Sequence, residues 1–181
     1  MATNFPTSID SFTNPSSGDT LDSPSHAAQH TNINDAMVAV QTKLGTGAGT
    51  IGEWTSFTPS WTNLTVGNGI QFFYYCVIGD IMFITGAWQL GSTSSIGTGP
   101  YFTIPGGYSI TGDAVGASKH WDVTFGVFSG YCDTYAPLSI VQPGAHATGG
   151  SFATFAPLSA TVPFTWAPGD VMYLSIFMRV S

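Results

Sequence analysis

Charge is what this sequence has least of. Only 7% of its 181 residues are charged, against about a quarter in an ordinary soluble domain. The bases are three, Lys43, Lys119 and Arg179, against ten acids, giving a net charge of −7. So few cations cannot neutralise a run of phosphates, which excludes a nucleic-acid-binding surface, and the same shortage excludes docking on an anionic membrane. Cysteine is scarce too. Cys76 and Cys132 form no CxxC or Cys/His cluster, so zinc has no ligand set. They read most simply as free buried thiols, with a disulfide between them as the alternative. The longest apolar run, Phe72 to Ile78, is too short to cross a bilayer as a helix. The opening Met1-Ala-Thr-Asn-Phe-Pro has neither a basic region nor an apolar stretch, so no signal peptide is expected and synthesis is placed in a cytoplasm.

Catalytic signatures are missing as well. No Gly-x-Ser-x-Gly elbow anchors a hydrolase, and no phosphate-cradling loop runs into a helix. Ser118, His120 and Asp122 lie close together, but their meeting as a triad would be coincidental, and no catalytic residue is assigned. Asp80, Asp113 and Asp170 adjoin glycines, where aspartate serves the turn itself. No cofactor and no enzyme activity are expected.

What is present is a β composition: 22 glycines, 11 prolines and 14% aromatic residues. Serine, threonine, asparagine and glycine do the work of the missing charges. Such a surface suits sharing with neighbouring subunits, where buried charge is costly; the alternative is a charge-poor monomer.

Four segments follow. Residues 1–22 are polar and broken by Pro6 and Pro15, with Phe5, Ile9 and Phe12 as isolated apolar residues. These read either as pegs of an extended attachment arm that docks on another surface or as a frayed terminus. Residues 23–45 read as a helix, with Ser23-Pro24 as its N-terminal signal and Gly45 as its stop. His26, His30, Ile33, Met37, Val40 and Leu44 recur at intervals alternating between four and three, the a/d pattern of a coiled coil. The alternative is an amphipathic helix lying on its own domain. His26 and His30 also have the spacing of a metal pair, but as core positions they need no metal. Residues 46–51 read as a Gly-rich linker.

From 52 to 181 the apolar period becomes two. Ile70–Ile78 and Ile81–Trp88 form a hairpin about Gly79-Asp80. Gly91–Gly99 reads as a loop, Tyr101–Ile104 as a short strand, and Leu138–Val141 as another, closed by Pro143-Gly144. Trp121, Val123, Phe125 and Val127 alternate with Asp122 and Thr124, which predicts that their apolar face is buried. Val162, Phe164 and Trp166 read as a strand. In the final strand Met172, Leu174, Ile176, Met178 and Val180 share a face. Many short strands with no second helix predict a mainly β domain, an antiparallel sandwich or jelly roll. The five tryptophans read mostly as core or subunit interface, though aromatics on a sheet also stack on sugars.

The stretches Phe5-Pro-Thr-Ser-Ile-Asp-Ser-Phe-Thr-Asn-Pro15 and Ser23-Pro-Ser-His-Ala-Ala-Gln-His-Thr-Asn-Ile-Asn-Asp-Ala36 resemble the opening of small structural proteins of tailed bacteriophages. Thr58-Pro59-Ser-Trp-Thr-Asn-Leu-Thr-Val-Gly-Asn-Gly69, Gly91-Ser-Thr-Ser-Ser-Ile96 and Pro163-Phe-Thr-Trp-Ala-Pro-Gly-Asp170 resemble the β modules of the same group, as found in phages of actinobacteria. The resemblance implies a virion protein with an N-terminal attachment segment, a trimeric stalk and an outward β head, and it transfers no catalytic residue. The expectation is a homotrimeric capsid decoration protein or head fibre, bound to the major capsid protein or another virion protein. The alternative is a receptor-binding tail-fibre or minor tail protein whose β domain binds host-surface glycans.

Overall fold

A computed structural model describes residues 18, 20, 22, 25–44, 52–135, 138–149 and 152–181. The chain divides into two compact units, Met1–Ile51 and Gly52–Ser181. In the first, helix α1 spans His26–Leu44, about 28 Å of axis. Its cap is not the expected one. Ser25 Oγ accepts the Ala28 N–H at 3.4 Å and the Ser25 carbonyl accepts that of Gln29 at 3.0 Å, so Ser25 takes the N-cap position. Ser23, Pro24 and Gly45 lie outside the described residues, as do Phe5, Ile9 and Phe12.

The second unit is mainly β and antiparallel. Its strands are β1 (Thr55–Phe57), β2 (Trp61–Thr65), β3 (Ile70–Ile78), β4 (Ile81–Gln89), β5 (Ser95–Thr103), β6 (Val115–Asp122), β7 (Gly126–Tyr135), β8 (Ile140–Gly149), β9 (Phe152–Pro157) and β10 (Val171–Arg179). They make one sheet in the order β1-β3-β4-β10-β6-β7-β8-β5-β2, with β9 paired to β8. The two ends of this order, β1 and β2, are consecutive in sequence, so the sheet curls until its ends approach. Four aromatic rings fill the approach: Phe57 from β1, Trp61 from β2, Phe73 from β3 and Phe102 from β5. Phe57 lies 5.9 Å from Phe73 and 6.1 Å from Phe102; Trp61 lies 5.8 Å and 4.9 Å from the same two rings. Trp61 Nε1 donates to Gln71 Oε1 at 3.3 Å, tying β2 to β3.

The inner face of the curl is the core. On β10 Met172, Leu174, Ile176 and Met178 are buried, as is Val180 just after it, as their period predicts, and Trp88, Phe102, Val141 and Leu158 join them. The β3–β4 hairpin also forms as read, with Ile78 opposite Ile81 and Gly79 at a φ of 62° that favours glycine.

Other readings need correction. The stretch read as a loop over 91–99 is already strand β5 from Ser95. Pro143-Gly144 does not end a strand but lies inside β8, paired to Cys132 and Tyr131 of β7. Gly144 is there because any Cβ would fall 2.0 Å from the Phe155 ring. Phe164 and Trp166 belong to no strand; only an isolated Ser159–Val162 bridge forms nearby.

The curl makes one glycine critical. The Phe73 ring lies over Gly86, where a Cβ would meet it at 2.2 Å. Gly86→Ala should therefore displace the ring at the centre of the aromatic cluster and cost about 1–3 kcal/mol. Urea unfolding of the variant against the parent measures this, and an unchanged midpoint would show that Phe73 can move aside freely.

Candidate functional site

On α1 the expected stripe is uncovered. Ile33 is 56% exposed, Met37 55% and Val40 36%. A helix hides such a stripe against its own domain or against other chains, and within its own unit these three side chains are exposed. The side chain of Leu44 lies outside the described residues. His26 and His30 meet each other, with their Nε2 atoms 3.0 Å apart and the rings edge to face at 4.4 Å. One Nε2 must donate and the other accept. Among the described residues no group of three or more His, Cys, Asp or Glu gathers that could hold a metal.

The second surface is the outer face of the sheet. Cross-strand register places Tyr74, Thr85, Ser175, Ala117 and Tyr131 in one row across β3, β4, β10, β6 and β7. The small residues of this row floor a shallow groove of about 260 Å³. Lys119 and Tyr173 flank it, the ammonium 4.2 Å from the ring centroid. Phe72, Tyr74 and Phe177 stand exposed around it.

At the end of β6 the expected burial is inverted. Asp122 is buried, whereas Trp121, Val123, Phe125 and Val127 are exposed, Phe125 to 87%. The alternation is real, but its apolar side faces outward. The reason is the turn joining β6 to β7. Asp122 Oδ1 accepts the Thr124 N–H at 2.7 Å, the Thr124 hydroxyl at 2.6 Å and the Phe125 N–H at 3.1 Å. These bonds, that from the Thr124 hydroxyl foremost, hold the Asp122 carboxyl below its ordinary range. Asp170, also buried, accepts the Val123 N–H at 3.0 Å through Oδ1 and that of Ala167 at 2.7 Å through Oδ2. Two carboxylates thus satisfy three successive backbone donors and fix a rigid finger whose apolar side chains point into solvent. Sequence reasoning missed this surface; its signal was Asp122 opening a three-residue turn closed by Gly126, at a φ of 128°.

The chain matches no protein-family model, no curated protein and no solved structure.

Ser118, His120 and Asp122 do share the inner face of β6, as alternate residues of a strand must, and all three are buried. They do not form a relay. Ser118 Oγ donates to the Gly144 carbonyl at 2.9 Å, His120 Nε2 lies 3.1 Å from both that carbonyl and Ser118 Oγ, and Asp122 is committed to its turn. His120 Nδ1 is buried with no partner among the described residues. The cysteines are free and buried; burial pushes the Cys132 thiol up to about 12, so it is no nucleophile at neutral pH.

Burial lowers the His120 pKa to about 4, from an ordinary value near 6.5, and the Gly144 carbonyl only partly offsets this. Between these values the unfolded chain binds the proton and the folded chain does not. The neutral imidazole therefore contributes stability above pH 6.5 that is lost as the pH falls towards 4, about 3 kcal/mol in all. Urea midpoints at pH 7 and pH 4.5 should show this loss, and His120→Gln should flatten it. An equal slope in the variant would assign the acid sensitivity to other groups.

Proposed function

We propose that this chain is a non-enzymatic structural subunit of a tailed-phage virion, a homotrimer joined through α1. Its role is capsid decoration or head fibre, anchored by residues 1–22 to the major capsid protein or another virion protein. The β unit, read as a sandwich- or jelly-roll-like head, supplies the exposed surface. The observation that carries the reading is the uncovered stripe of Ile33, Met37 and Val40 on a helix of heptad pattern. Solvent exposure of such a stripe is costly, and packing against the same stripe of other copies relieves the cost. Threefold assembly rests on the phage resemblance, since the heptad pattern alone does not set the number.

The full chain should have the mass of three subunits at micromolar concentration. Val40→Asp would place like charges at the axis and weaken the assembly by several kcal/mol, on the order expected for uncompensated buried charge. A parent protein with the mass of one chain would remove this reading. Deleting residues 1–22 should leave a folded oligomer that no longer joins the virion; normal incorporation would place the attachment elsewhere. A glycan array should stay blank, and specific capture of host-surface glycans would favour the receptor-binding alternative.

A further inference from the structure

We infer that α1 carries a metal site completed only in the oligomer: His26 and His30 of three copies gather their imidazole nitrogens, two from each copy, around one divalent transition-metal ion on the threefold axis. This rests on the threefold assembly through α1 proposed above and names an ion that joins its chains.

The two histidines stand on the stripe, not beside it. They continue the four-three spacing of Ile33, Met37 and Val40 towards the N-terminal end of α1, and both are exposed. A stripe turned to a common axis turns these two layers inward with it. Apolar packing does not account for imidazoles there, because an axial layer of polar rings is a cost unless its nitrogens are bonded.

The geometry within one chain is already that of a chelate. The Nε2 atoms lie 3.0 Å apart, and the rings stand edge to face at 74°. A metal–imidazole bond is about 2.0–2.1 Å long, so two nitrogens at right angles around one ion lie about 3.0 Å apart, and two at tetrahedral corners about 3.3–3.4 Å. The observed separation is that of neighbouring corners of an octahedron. Without an ion, one Nε2 has to give its hydrogen to the other. With the hydrogen of each ring on Nδ1 instead, both Nε2 lone pairs serve one ion, and no proton is released. Imidazole suits zinc, copper, iron and nickel, whereas calcium and magnesium take oxygen ligands.

One chain cannot finish the site. Two nitrogens leave most positions around the ion to water, and among the described residues no third His, Cys, Asp or Glu joins the pair. Three copies supply three such pairs. A threefold axis relates them as three edges of one octahedron, each linking its upper triangle to its lower one. The ligands are neutral, so the ion keeps its positive charge on the axis of chains that carry −7 each. The binding energy of an ion held by three chains is assembly energy, and a helix of this kind takes most of its stability from such contacts.

The test uses the full chain without an affinity tag, freed of metal with EDTA, and Ni²⁺ as the probe. Equilibrium dialysis should give one Ni²⁺ per three chains, and the three-chain mass should persist to about tenfold or greater dilution with Ni²⁺ than with EDTA. The double variant His26→Leu/His30→Leu keeps the stripe apolar, so it should hold the three-chain mass and bind no Ni²⁺. His146→Ala, at an exposed histidine of the β unit, should bind Ni²⁺ as the parent does. One Ni²⁺ per chain would overturn the axial site in favour of a chelate on each helix. No binding by a three-chain parent, binding that survives in the double variant, or binding lost in His146→Ala would overturn it while leaving the assembly through α1 standing. A double variant that falls to single chains while the parent in EDTA stays at three would assign the histidines to packing and overturn it as well. A parent mass other than three chains, with or without Ni²⁺, would remove the threefold assembly and the site together.

Discussion

The closure of the sheet by four aromatic rings is the constraint on which the β unit depends. Phe73 and Phe102 come from strands near opposite ends of the hydrogen-bonded order, and their rings lie 5.8 Å apart. Phe57 and Trp61 pack against both, and the three residues joining β1 to β2 include a buried Pro59. Burying an aromatic side chain contributes about 1.5–3 kcal/mol, and edge-to-face pairing adds about 0.5–1.5 kcal/mol. These contacts enclose the inner face, and so decide which half of every strand is core. They also leave the outer face of β3, β4, β10 and β6 with no layer of the same unit required to cover it.

A second constraint fixes the middle of the sheet. Gly130 has no room for a Cβ, which would sit 2.0 Å from the Gly144 carbonyl, 2.7 Å from Ser118 Oγ and 2.8 Å from His120 Nε2. The missing side chain lets Ser118 and His120 of β6 reach across β7 to a carbonyl of β8. A slip of one residue would carry Ser118 and His120 to the outer face and lose these bonds. The bracket specifies register across three strands, and its cost is a neutral imidazole whose buried Nδ1 has no partner among the described residues.

Legibility in the sequence follows the range of the interactions. The β3–β4 hairpin was readable because its turn is two local residues, and the core face of β10 because nine residues keep one period. The helix was readable, although its cap proved to be Ser25. What failed depended on distant partners. Pro143-Gly144 looks like a strand end, but Gly144 answers to Phe155, eleven positions along the chain. The Trp121–Val127 stretch has the right period and the wrong side: alternation cannot tell inward from outward, and only Asp122 bonding its own turn and Asp170 bonding Val123 decide it. For the candidate site, the spacing alone marks out the stripe of Ile33, Met37 and Val40, which the structure shows exposed on α1. The finger and groove were not legible, since one needs Asp170 and the other needs four strands brought side by side.

The same closure bears on how much sheet edge a chain so poor in charge leaves open. Open sheet edges offer unpaired N–H and C=O groups to any other strand. Here β1, three residues long, and β2 lie at the aromatic closure, and β9 ends at Pro157, which has no N–H to give. The large exposed apolar surfaces among the described residues are made of side chains: the helical stripe of Ile33, Met37 and Val40, and the turn that carries Phe125. Side-chain surfaces discriminate by shape in a way that backbone edges do not, because a misfitting partner leaves apolar area wet and voids unfilled. With few exposed charges to repel wrong partners, any selectivity of such surfaces has to come from fit, and a turn held by two buried carboxylates is rigid enough to offer it.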